Sequence, residues 1–431
     1  MGRGIQLSRN KNTKALKPVR LDHVKSVTLL MRQHIGALCV PCVRPGEYVR
    51  AGQIVGDTEA PIAAPVHASV SGTVKCIDSI QMPDGETVEA VVIESDGEMN
   101  MIEAAAPIVS TREEFFAAVR ASGLMGLGGA GFPTHAKLRA AADKANILLV
   151  NAAECEPYLT ADHREILDGA ANIIAGIEHI CKWLDIREAV IGAEEKDAVA
   201  LLQKLCAEAS SQSLSISAKK LPSSYPQGAE KMLVHSLTKR KVPPEKLPFA
   251  VGALVVNVAS AAFLGRYFRT GRPLISRAIT LDGGAIPEPV NIRVPIGASM
   301  EDILRQIGNA PEDAAKMILG GPMMGAAIPG GDAVIGKCNN AVLLFDKKQA
   351  ELKSETACIR CGKCAFACPM HLQPLKLERA WQARNTVMLD KLGAPACMEC
   401  GCCAYVCPAG RELVQRIRLG KQLLRAREDM S

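Results

Sequence analysis

Residues Gly123–Leu138 read GLMGLGGAGFPTHAKL, and five of these sixteen positions are glycine. Gly126, Gly128 and Gly131 match the spacing G-x-G-x-x-G, which in dinucleotide-binding folds follows a strand and opens a helix. Here the preceding segment, TREEFFAAVRASG, has the capping-box residues and apolar spacing of a helix. The loop therefore lacks the preceding strand that a dinucleotide-binding fingerprint requires. Its glycines still let backbone amides approach an anion, and the helix predicted to begin at Pro133 offers its N-terminus.

The segments downstream of the loop alternate between helical and strand patterns. They include the helix PTHAKLRAAADK, the strand ANILLVN, the helix AANIIAGIEHICKWL, the strand REAVIGAEE and the strand PFAVGALVVNVAS. Strands that alternate with helices indicate an α/β domain with a largely parallel sheet. We predict that this domain covers residues 111–270.

Polar residues follow the strand ANILLVN at the point where it ends, in NAAECEPYLTADHRE. Asn151, Glu154 and Glu156 fall at the carboxyl end of the strand, the edge at which open α/β sheets bind ligands. Carboxylates at that edge can hydrogen-bond ribose hydroxyls or a flavin ring. The alternative interpretation of these carboxylates is that they are solvated acids in a loop. The alternative for the glycine loop is that its glycines serve tight packing alone.

The first hundred residues contain short β-type runs separated by glycine and proline. PGEYVRAGQ and the later APVHASVSGTV resemble the barrel-sandwich hybrid fold of biotinyl and lipoyl carrier domains. Those carriers present a modified lysine on a hairpin tip, whereas the corresponding segment here reads DTEAPIAA. We therefore predict an unmodified lipoyl-like scaffold over residues 19–100, preceded by a flexible basic arm over residues 1–18.

The pattern changes again after the α/β segment. Residues 271–346 combine short strands, the helix SMEDILRQIG and many glycines and prolines, which suits a small β-grasp-like domain. Residues 411–431 contain RELVQRIRLGKQLLRARED, a basic amphipathic helix. We expect this helix to pack on the protein, and docking to a membrane or partner is the alternative.

Cysteine dominates residues 355–410, and the chain has sixteen cysteines in all. Because disulfides seldom persist in the cytoplasm, metal binding or redox chemistry is the expected use. Two runs, CIRCGKCAFACP and CMECGCCAYVCP, match C-x2-C-x2-C-x3-C-P, the spacing that supplies thiolates to [4Fe–4S] clusters. In two-cluster ferredoxins the cysteine before the proline ligates the other cluster. We therefore predict one cluster on Cys358, Cys361, Cys364 and Cys407, and a second on Cys397, Cys400, Cys403 and Cys368.

The other cysteines are not expected to bind iron. Zinc is disfavoured for the two runs because zinc ligands come as pairs. Cys402 is an extra thiol inside the second run, without a predicted role. Cys39 and Cys42 form a C-x2-C pair with no second pair nearby, and we predict that they are structural.

Composition excludes several classes of protein. Aromatic residues make up only 3%, which argues against a base-stacking nucleic-acid surface, and a formal charge of +6 is mild for 431 residues. The sequence has no apolar run of the roughly 18 residues that a membrane span needs, and no secretory signal. We expect a cytoplasmic protein without nucleic-acid binding, whose membrane association is peripheral.

The motifs together resemble a known family. LGGAGFPTHAKL, NAAECEP, SYPQGAEKML and VVNVAS, followed by the two cysteine runs, resemble the C subunit of the Rnf (also called Rsx) ion-translocating electron-transport complexes. HIGA and APVHASVSGTV extend this resemblance over nearly the whole chain. The central part is also similar to the flavin-bearing subunit of respiratory complex I.

The resemblance implies a site for noncovalent FMN, with NADH as substrate. The FMN phosphate would lie in the loop formed by Gly126, Gly128, Gly129 and Gly131, with Lys137 nearby. Further flavin contacts would come from Asn151, Glu154, Tyr225, Gly228 and Asn257. The NADH side, with the catalytic roles, would come from Phe132, Glu156 and Glu230. The sequence departs from the complex I pattern at Ala153, Ala229 and Val258.

The function implied by the resemblance is that of an NADH-dependent flavin and iron–sulfur oxidoreductase subunit. It would lie on the cytoplasmic side of the inner membrane, with the other subunits of the complex as partners and ferredoxin reached indirectly. FMN would link a two-electron hydride to one-electron clusters. The alternatives are a soluble cobalamin reductase of the propanediol-utilisation type and an electron relay without flavin. A barrel-sandwich unit before the flavin loop favours the Rnf subunit over the reductase.

Overall fold

The computed structural model describes residues 4–21, 23–82, 85–308, 313–328 and 333–428, except the Glu428 side chain. Its strands are β1 (Val19–Arg20), β2 (Ser26–Leu30), β3 (Val40–Pro41), β4 (Tyr48–Val49), β5 (Ile54–Asp57), β6 (Val66–His67), β7 (Gly72–Gln81), β8 (Thr87–Ser95), β9 (Ile147–Ala152), β10 (Glu188–Ala193), β11 (Ser215–Lys220), β12 (Ala253–Asn257), β13 (Ser276–Asp282), β14 (Val290–Pro295), β15 (Lys316–Leu319), β16 (Ala326–Ile328) and β17 (Ala341–Phe345).

The helices follow the same chain order. They are α1 (Arg112–Ala121), α2 (Thr134–Ala141), α3 (Ala161–Leu184), α4 (Lys196–Ala209), α5 (Glu230–Thr238), α6 (Val258–Thr270), α7 (Met300–Gln306), α8 (Lys347–Ala350), α9 (Lys363–Ala367), α10 (Pro374–Gln382), α11 (Thr386–Lys391), α12 (Cys402–Tyr405) and α13 (Leu413–Glu428). Short 3-10 turns lie at Pro248–Val251 and Ala394–Ala396.

Two antiparallel sheets form the N-terminal unit, in the orders β2-β8-β7-β4 and β3-β5-β6. Val27, Val55 and Val91 lie in its buried core. The segment that corresponds to the modified-lysine hairpin of carrier domains is tied to α1 here, because Arg120 of α1 donates hydrogen bonds to both carboxylate oxygens of Asp57. The barrel-sandwich fold and its scaffold interpretation are therefore consistent with these contacts.

The central domain contains a four-stranded parallel sheet in the order β11-β10-β9-β12. Apolar residues on one face of the sheet pack against α3, α4 and α6, and those on the other face pack against α5. Gly176 of α3 and Gly265 of α6 allow these helices to cross closely, since a Cβ at either position would overlap backbone of the other helix. This packing fixes the starts of α3 and α6 at the carboxyl edge of the sheet.

A mixed six-stranded sheet, β1-β14-β13-β17-β15-β16, follows with α7. It contains the expected short strands and single helix of the predicted β-grasp-like segment. The predicted boundary at residue 19 differs from the structure, because Val19 and Arg20 pair in parallel with Ile292 and Arg293 of this sheet.

Residues 4–18 also differ from the expected flexible arm. The Lys11 ammonium donates hydrogen bonds to the carbonyl oxygens of Glu154 at 2.7 Å and Glu156 at 2.9 Å. Thr13 is fully buried, and its hydroxyl is hydrogen-bonded to that of Thr160. Basic composition favours a solvated arm, but these partners come from strand-end loops that are distant in sequence.

The C-terminal module consists of short helices around the cysteine runs. Helix α13 packs through Ile417 against Leu377 of α10 and Leu389 of α11. The basic terminal helix is therefore packed, as the sequence predicts. Over the described ranges, we find no helix with the length and apolar character needed to cross a membrane.

Candidate functional site

The glycine loop lies between α1 and α2. Thr111 and Glu114 form the predicted capping box of α1, so a helix does precede the loop. The amide of Gly126 donates to the carbonyl oxygen of Phe132 at 2.8 Å, which closes the loop at its base. Its tip, residues 128–130, is exposed. Gly129 has φ +102°, a conformation that favours glycine and turns the backbone outward.

The ends of β9 and β12 lie beside this loop. Asn151 and Asn257 are paired in register, and a Cβ at Gly128 would lie 3.3 Å from the Asn257 side chain. The Asn257 side chain accepts from the amides of Ala259 and Ser260 at the start of α6. Its Nδ2 donates to Asp162 at 2.7 Å. The loop and both asparagines thus share one edge of the sheet, where the backbone is open to a ligand.

Gly228 approaches the same edge from the segment before α5. Its carbonyl oxygen accepts from Asn151 Nδ2 at 2.8 Å. A side chain at this position would meet the carbonyl oxygen of Ala153 at 2.6 Å. Gly228 is therefore next to the strand end, as expected for a residue that lines the same pocket.

Three charged residues expected to contact ligand are engaged within the protein. Lys137 forms an ion pair with Glu230. The Glu154 carboxylate accepts from the amides of Asp162 at 3.0 Å and His163 at 3.3 Å, and so caps the start of α3. Glu154 therefore positions α3 in this structure, and Lys137 and Glu230 are paired with each other.

Glu156 and Tyr225 lie on the side of the cysteine module. Glu156 Oε2 accepts from the amide of Met323 at 3.0 Å, while its Oε1 is buried without a hydrogen-bond partner among the described residues. Burial is the main cause that raises the pKa of Glu156 to about 7. The Tyr225 hydroxyl donates to the carbonyl oxygen of Cys400 at 2.8 Å. Both side chains therefore contact the segments that lie around the cysteine module.

The eight cysteines of the two runs surround two separate cavities. One cavity, of about 300 Å³, is lined by Cys358, Cys361, Cys364 and Cys407. A smaller cavity, of about 20 Å³, is lined by Cys368, Cys397, Cys400 and Cys403, and also by Cys402. Each cavity thus takes one cysteine from the other run, which is the crossed arrangement that the sequence predicts.

The donor sets fit two cubane clusters by their chemistry, because the four predicted thiol ligands of each cluster line one cavity. Within the described part of the chain, no three His, Cys, Asp or Glu side chains converge closely enough to hold a single metal ion. The four thiolates of a cubane bind four different irons and are spread more widely. Cys39 is buried, and its thiol faces the carbonyl oxygen of Ala64 at 3.4 Å.

Sequence reasoning missed several residues that organise the site. Lys11 binds the backbone of the strand-end loop, Asp162 binds Asn257, and Met323 binds Glu156. The guanidinium of Arg277 donates to the carbonyl oxygen of Leu127 in the glycine loop at 3.2 Å. Asp162 had no local signal, because α3 begins at Ala161, ahead of the predicted helix AANIIAGIEHICKWL. The other three contacts join segments far apart in the chain.

Comparisons with known protein families match the three modules. The RnfC barrel-sandwich hybrid domain matches residues 1–98, the Nuo51 FMN-binding domain matches residues 119–266, and the 4Fe-4S dicluster domain matches residues 357–411. The order of barrel-sandwich domain before FMN-binding domain is the one that favours the Rnf subunit over the cobalamin reductase. The chain therefore carries an FMN-binding domain and a 4Fe-4S dicluster domain, as predicted.

Solved structures with a similar fold include NAD+-reducing [NiFe]-hydrogenase in the air-oxidized state. That match has a TM-score of 0.52 at 19% identity and covers 73% of this chain and 62% of the hydrogenase chain. The H2-reduced state gives a TM-score of 0.50 at 18% identity with the same coverage. At these identities the likeness shows the shared fold.

Curated relatives are much closer in sequence. The C subunit of the proton-translocating ferredoxin:NAD(+) oxidoreductase complex of Clostridium ljungdahlii is 38% identical, over 87% of this chain and 82% of the relative. The C subunit of the Na(+)-translocating ferredoxin:NAD(+) oxidoreductase complex of Acetobacterium woodii is 39% identical, over 92% of this chain and 90% of the relative. The C subunit of the ion-translocating oxidoreductase complex of Pseudomonas aeruginosa is 37% identical over 87% of this chain, which spans 49% of that relative. The chain therefore belongs to the RnfC family of ion-translocating oxidoreductase complex subunits.

Proposed function

We propose that this chain is the NADH-facing peripheral subunit of a membrane-bound ion-translocating complex, on the cytoplasmic side of the inner membrane. Relatives that are named ferredoxin:NAD(+) oxidoreductase complex subunits support this class of reaction. The contact between Tyr225 and Cys400 carries the proposal, because it joins the FMN-binding domain directly to the cluster module. Its partners are the other subunits of the complex, with ferredoxin reached through them.

The glycine loop from Gly126 to Gly131, at the start of α2, would hold the FMN phosphate on its free amides. Lys137 would supply a positive charge there on leaving Glu230. Asn151, Gly228 and Asn257 would hold the flavin ring at the strand edge. Bound FMN supplies the interconversion between a two-electron hydride and single electrons.

Phe132 and Glu230 would face NADH. Phe132 follows Gly131 and is half-buried, so its ring is available to pack against the nicotinamide. Glu156 would also contribute to the NADH side. Its hydrogen bond to the Met323 amide couples the NADH side to the loop that covers the cysteine module.

The two thiol sets differ in their surroundings. The set that contains Cys400 contacts the FMN-binding domain through Tyr225, so it is the nearer cluster site. The other set contains Cys361, which is exposed, and it lies next to the exposed side chains of Ile359 and Phe366. We assign this second set to electron exchange with the other subunits.

The proposal is tested by assaying NADH oxidation with an artificial electron acceptor in the anaerobically purified chain. Phe132→Leu is expected to raise the KM for NADH about tenfold through a lost stacking contact, without changing FMN content. Phe366→Leu, at an exposed position away from the glycine loop, is the matched control. A chain that holds iron but neither binds FMN nor oxidises NADH would instead be an electron relay, and would refute the proposal.

A further inference from the structure

An arginine-rich cavity lies at the junction of the barrel-sandwich unit, the FMN-binding domain and the six-stranded sheet. Its volume is about 510 Å³, within the range of ligand sites, and pockets at domain junctions are common binding places. Its lining includes six arginines: Arg20, Arg266, Arg269, Arg272, Arg277 and Arg293. Among the residues that the structure describes, two carboxylates, Asp162 and Glu165, line it with them. The cavity therefore carries a large excess of positive charge.

The two carboxylates do not neutralise the guanidinium groups other than that of Arg20. Glu165 is shared, because it pairs with Arg266 and lies 3.5 Å from Arg293. The Asp162 carboxylate accepts a hydrogen bond from Asn257. The Arg277 guanidinium donates to the carbonyl oxygens of Leu127 and Asn339.

Arg269 and Arg272 lie at the exposed mouth of the cavity. Neither makes an ion pair with any of the residues described here. Crowded cations in a partly desolvated cavity are costly unless an anion compensates them. Burial lowers the pKa of Arg293, Glu165 raises it in part, and the neighbouring Arg266 and Arg20 lower it further.

The remaining wall of the cavity is apolar. Met99, Met101, Phe263 and Leu274 contribute to it. The fork of a guanidinium matches two phosphate oxygens at once, and several arginines together match more than one phosphate group. A ligand of this cavity would therefore place its phosphates among the arginines and a ring or other apolar part against Phe263.

We propose that this cavity is a second ligand site, which binds an organic diphosphate such as a nucleoside diphosphate. It is separate from the predicted flavin and NADH residues, none of which lines it. Leu127 is the residue of the glycine loop that lines the cavity, and its carbonyl oxygen accepts a hydrogen bond from Arg277. The site does not depend on the proposed electron-transfer function, but its occupant would stiffen the wall that supports the glycine loop.

The test measures binding of ADP to the full chain, purified anaerobically with its cofactors, by titration calorimetry. We expect one ADP site per chain. In the double variant Arg269→Gln/Arg272→Gln, ADP binding is expected to weaken at least about tenfold, through loss of charge-assisted contacts. The matched control is Arg44→Gln/Arg50→Gln, which removes two exposed arginines from the N-terminal unit. FMN content should be the same in all three proteins.

Further titrations separate the ligand sources. Inorganic pyrophosphate should bind more weakly than ADP, because it has no part to contact Phe263. If NAD+ binds and its binding also depends on Arg269 and Arg272, the diphosphate is that of a dinucleotide. If ADP binds more tightly than NAD+, the ligand is a mononucleotide. Equal binding of ADP and pyrophosphate, equal binding by the two double variants, or displacement of ADP by FMN would overturn the proposal.

Discussion

The hydroxyl of Tyr225 donates a hydrogen bond of 2.8 Å to the carbonyl oxygen of Cys400. Tyr225 belongs to the FMN-binding domain, and Cys400 belongs to the second cysteine run. Burial is the main cause that raises the pKa of Tyr225, so its hydroxyl remains a neutral donor across the physiological range. Ala367 and Cys402 pack in the same small apolar cluster. The two redox modules are therefore joined by a buried, directional contact.

Tyr225→Phe is expected to lower the free energy of unfolding by about 1 kcal/mol, because the carbonyl oxygen of Cys400 loses its buried donor. It should also slow the reduction of the clusters by NADH, with FMN content unchanged. Thermal unfolding and the bleaching of cluster absorbance measure the two effects. Tyr267→Phe is the matched control, since Tyr267 is 7% exposed and its hydroxyl makes no hydrogen bond to the described residues. Equal losses in the two variants would contradict the special role of the Tyr225 contact.

The crossed cysteine sets are tested by two double variants that distribute the lost thiols differently between the cavities. Cys361→Ser/Cys407→Ser removes two thiols from one cavity and should leave about four of the roughly eight irons. Cys361→Ser/Cys368→Ser removes one thiol from each cavity and should disturb both clusters. Iron analysis and electron paramagnetic resonance give the readout. Cys402→Ser is the control and should keep all the iron, whereas the reverse pattern would mean that each run holds its own cluster.

Gly129→Ala tests the glycine loop. At φ +102° a residue with a Cβ costs about 1–2 kcal/mol, while the added methyl meets no described atom within 4 Å. We expect FMN affinity to fall about tenfold, measured by flavin release on dilution. Gly46→Ala, at φ +87° and equally open, carries the same backbone cost in the N-terminal unit. If Gly46→Ala lowers FMN affinity as much, the loop does not hold the phosphate.

Glu156 should make stability depend on pH. Its pKa is raised to about 7 by burial, so the folded protein favours the protonated carboxyl. The protonated Glu156 carboxyl contributes its full stabilisation of the folded state below the ordinary glutamate pKa of about 4.5, and this stabilisation is lost as the pH rises through 7. The thermal stability of Glu156→Gln relative to the parent should therefore rise as the pH increases from 5 to 8. Thermal unfolding scans at pH steps of ~0.5 measure this difference. A constant difference across this range would mean that Glu156 does not titrate there.

Sequence reasoning reached the features that are encoded locally. The capping box at Thr111, the parallel sheet and the crossed cysteine motif each depend on short spacings. It could not reach contacts between distant segments. Lys11 looked like part of a solvated arm, yet it binds carbonyl oxygens more than 140 residues away. Glu156 was expected to face NADH, but the amide of Met323, in the turn between β15 and β16, donates to one of its carboxylate oxygens.

The central claim is that one chain connects NADH to both clusters through FMN. The most direct measurement mixes NADH rapidly with the anaerobically purified chain and follows flavin and cluster absorbance, before and after FMN is removed. The account predicts that NADH bleaches the clusters in the FMN-loaded chain, that FMN removal abolishes this bleaching, and that added FMN restores it. Cluster bleaching that is absent with FMN bound, or that persists without FMN, would contradict the account.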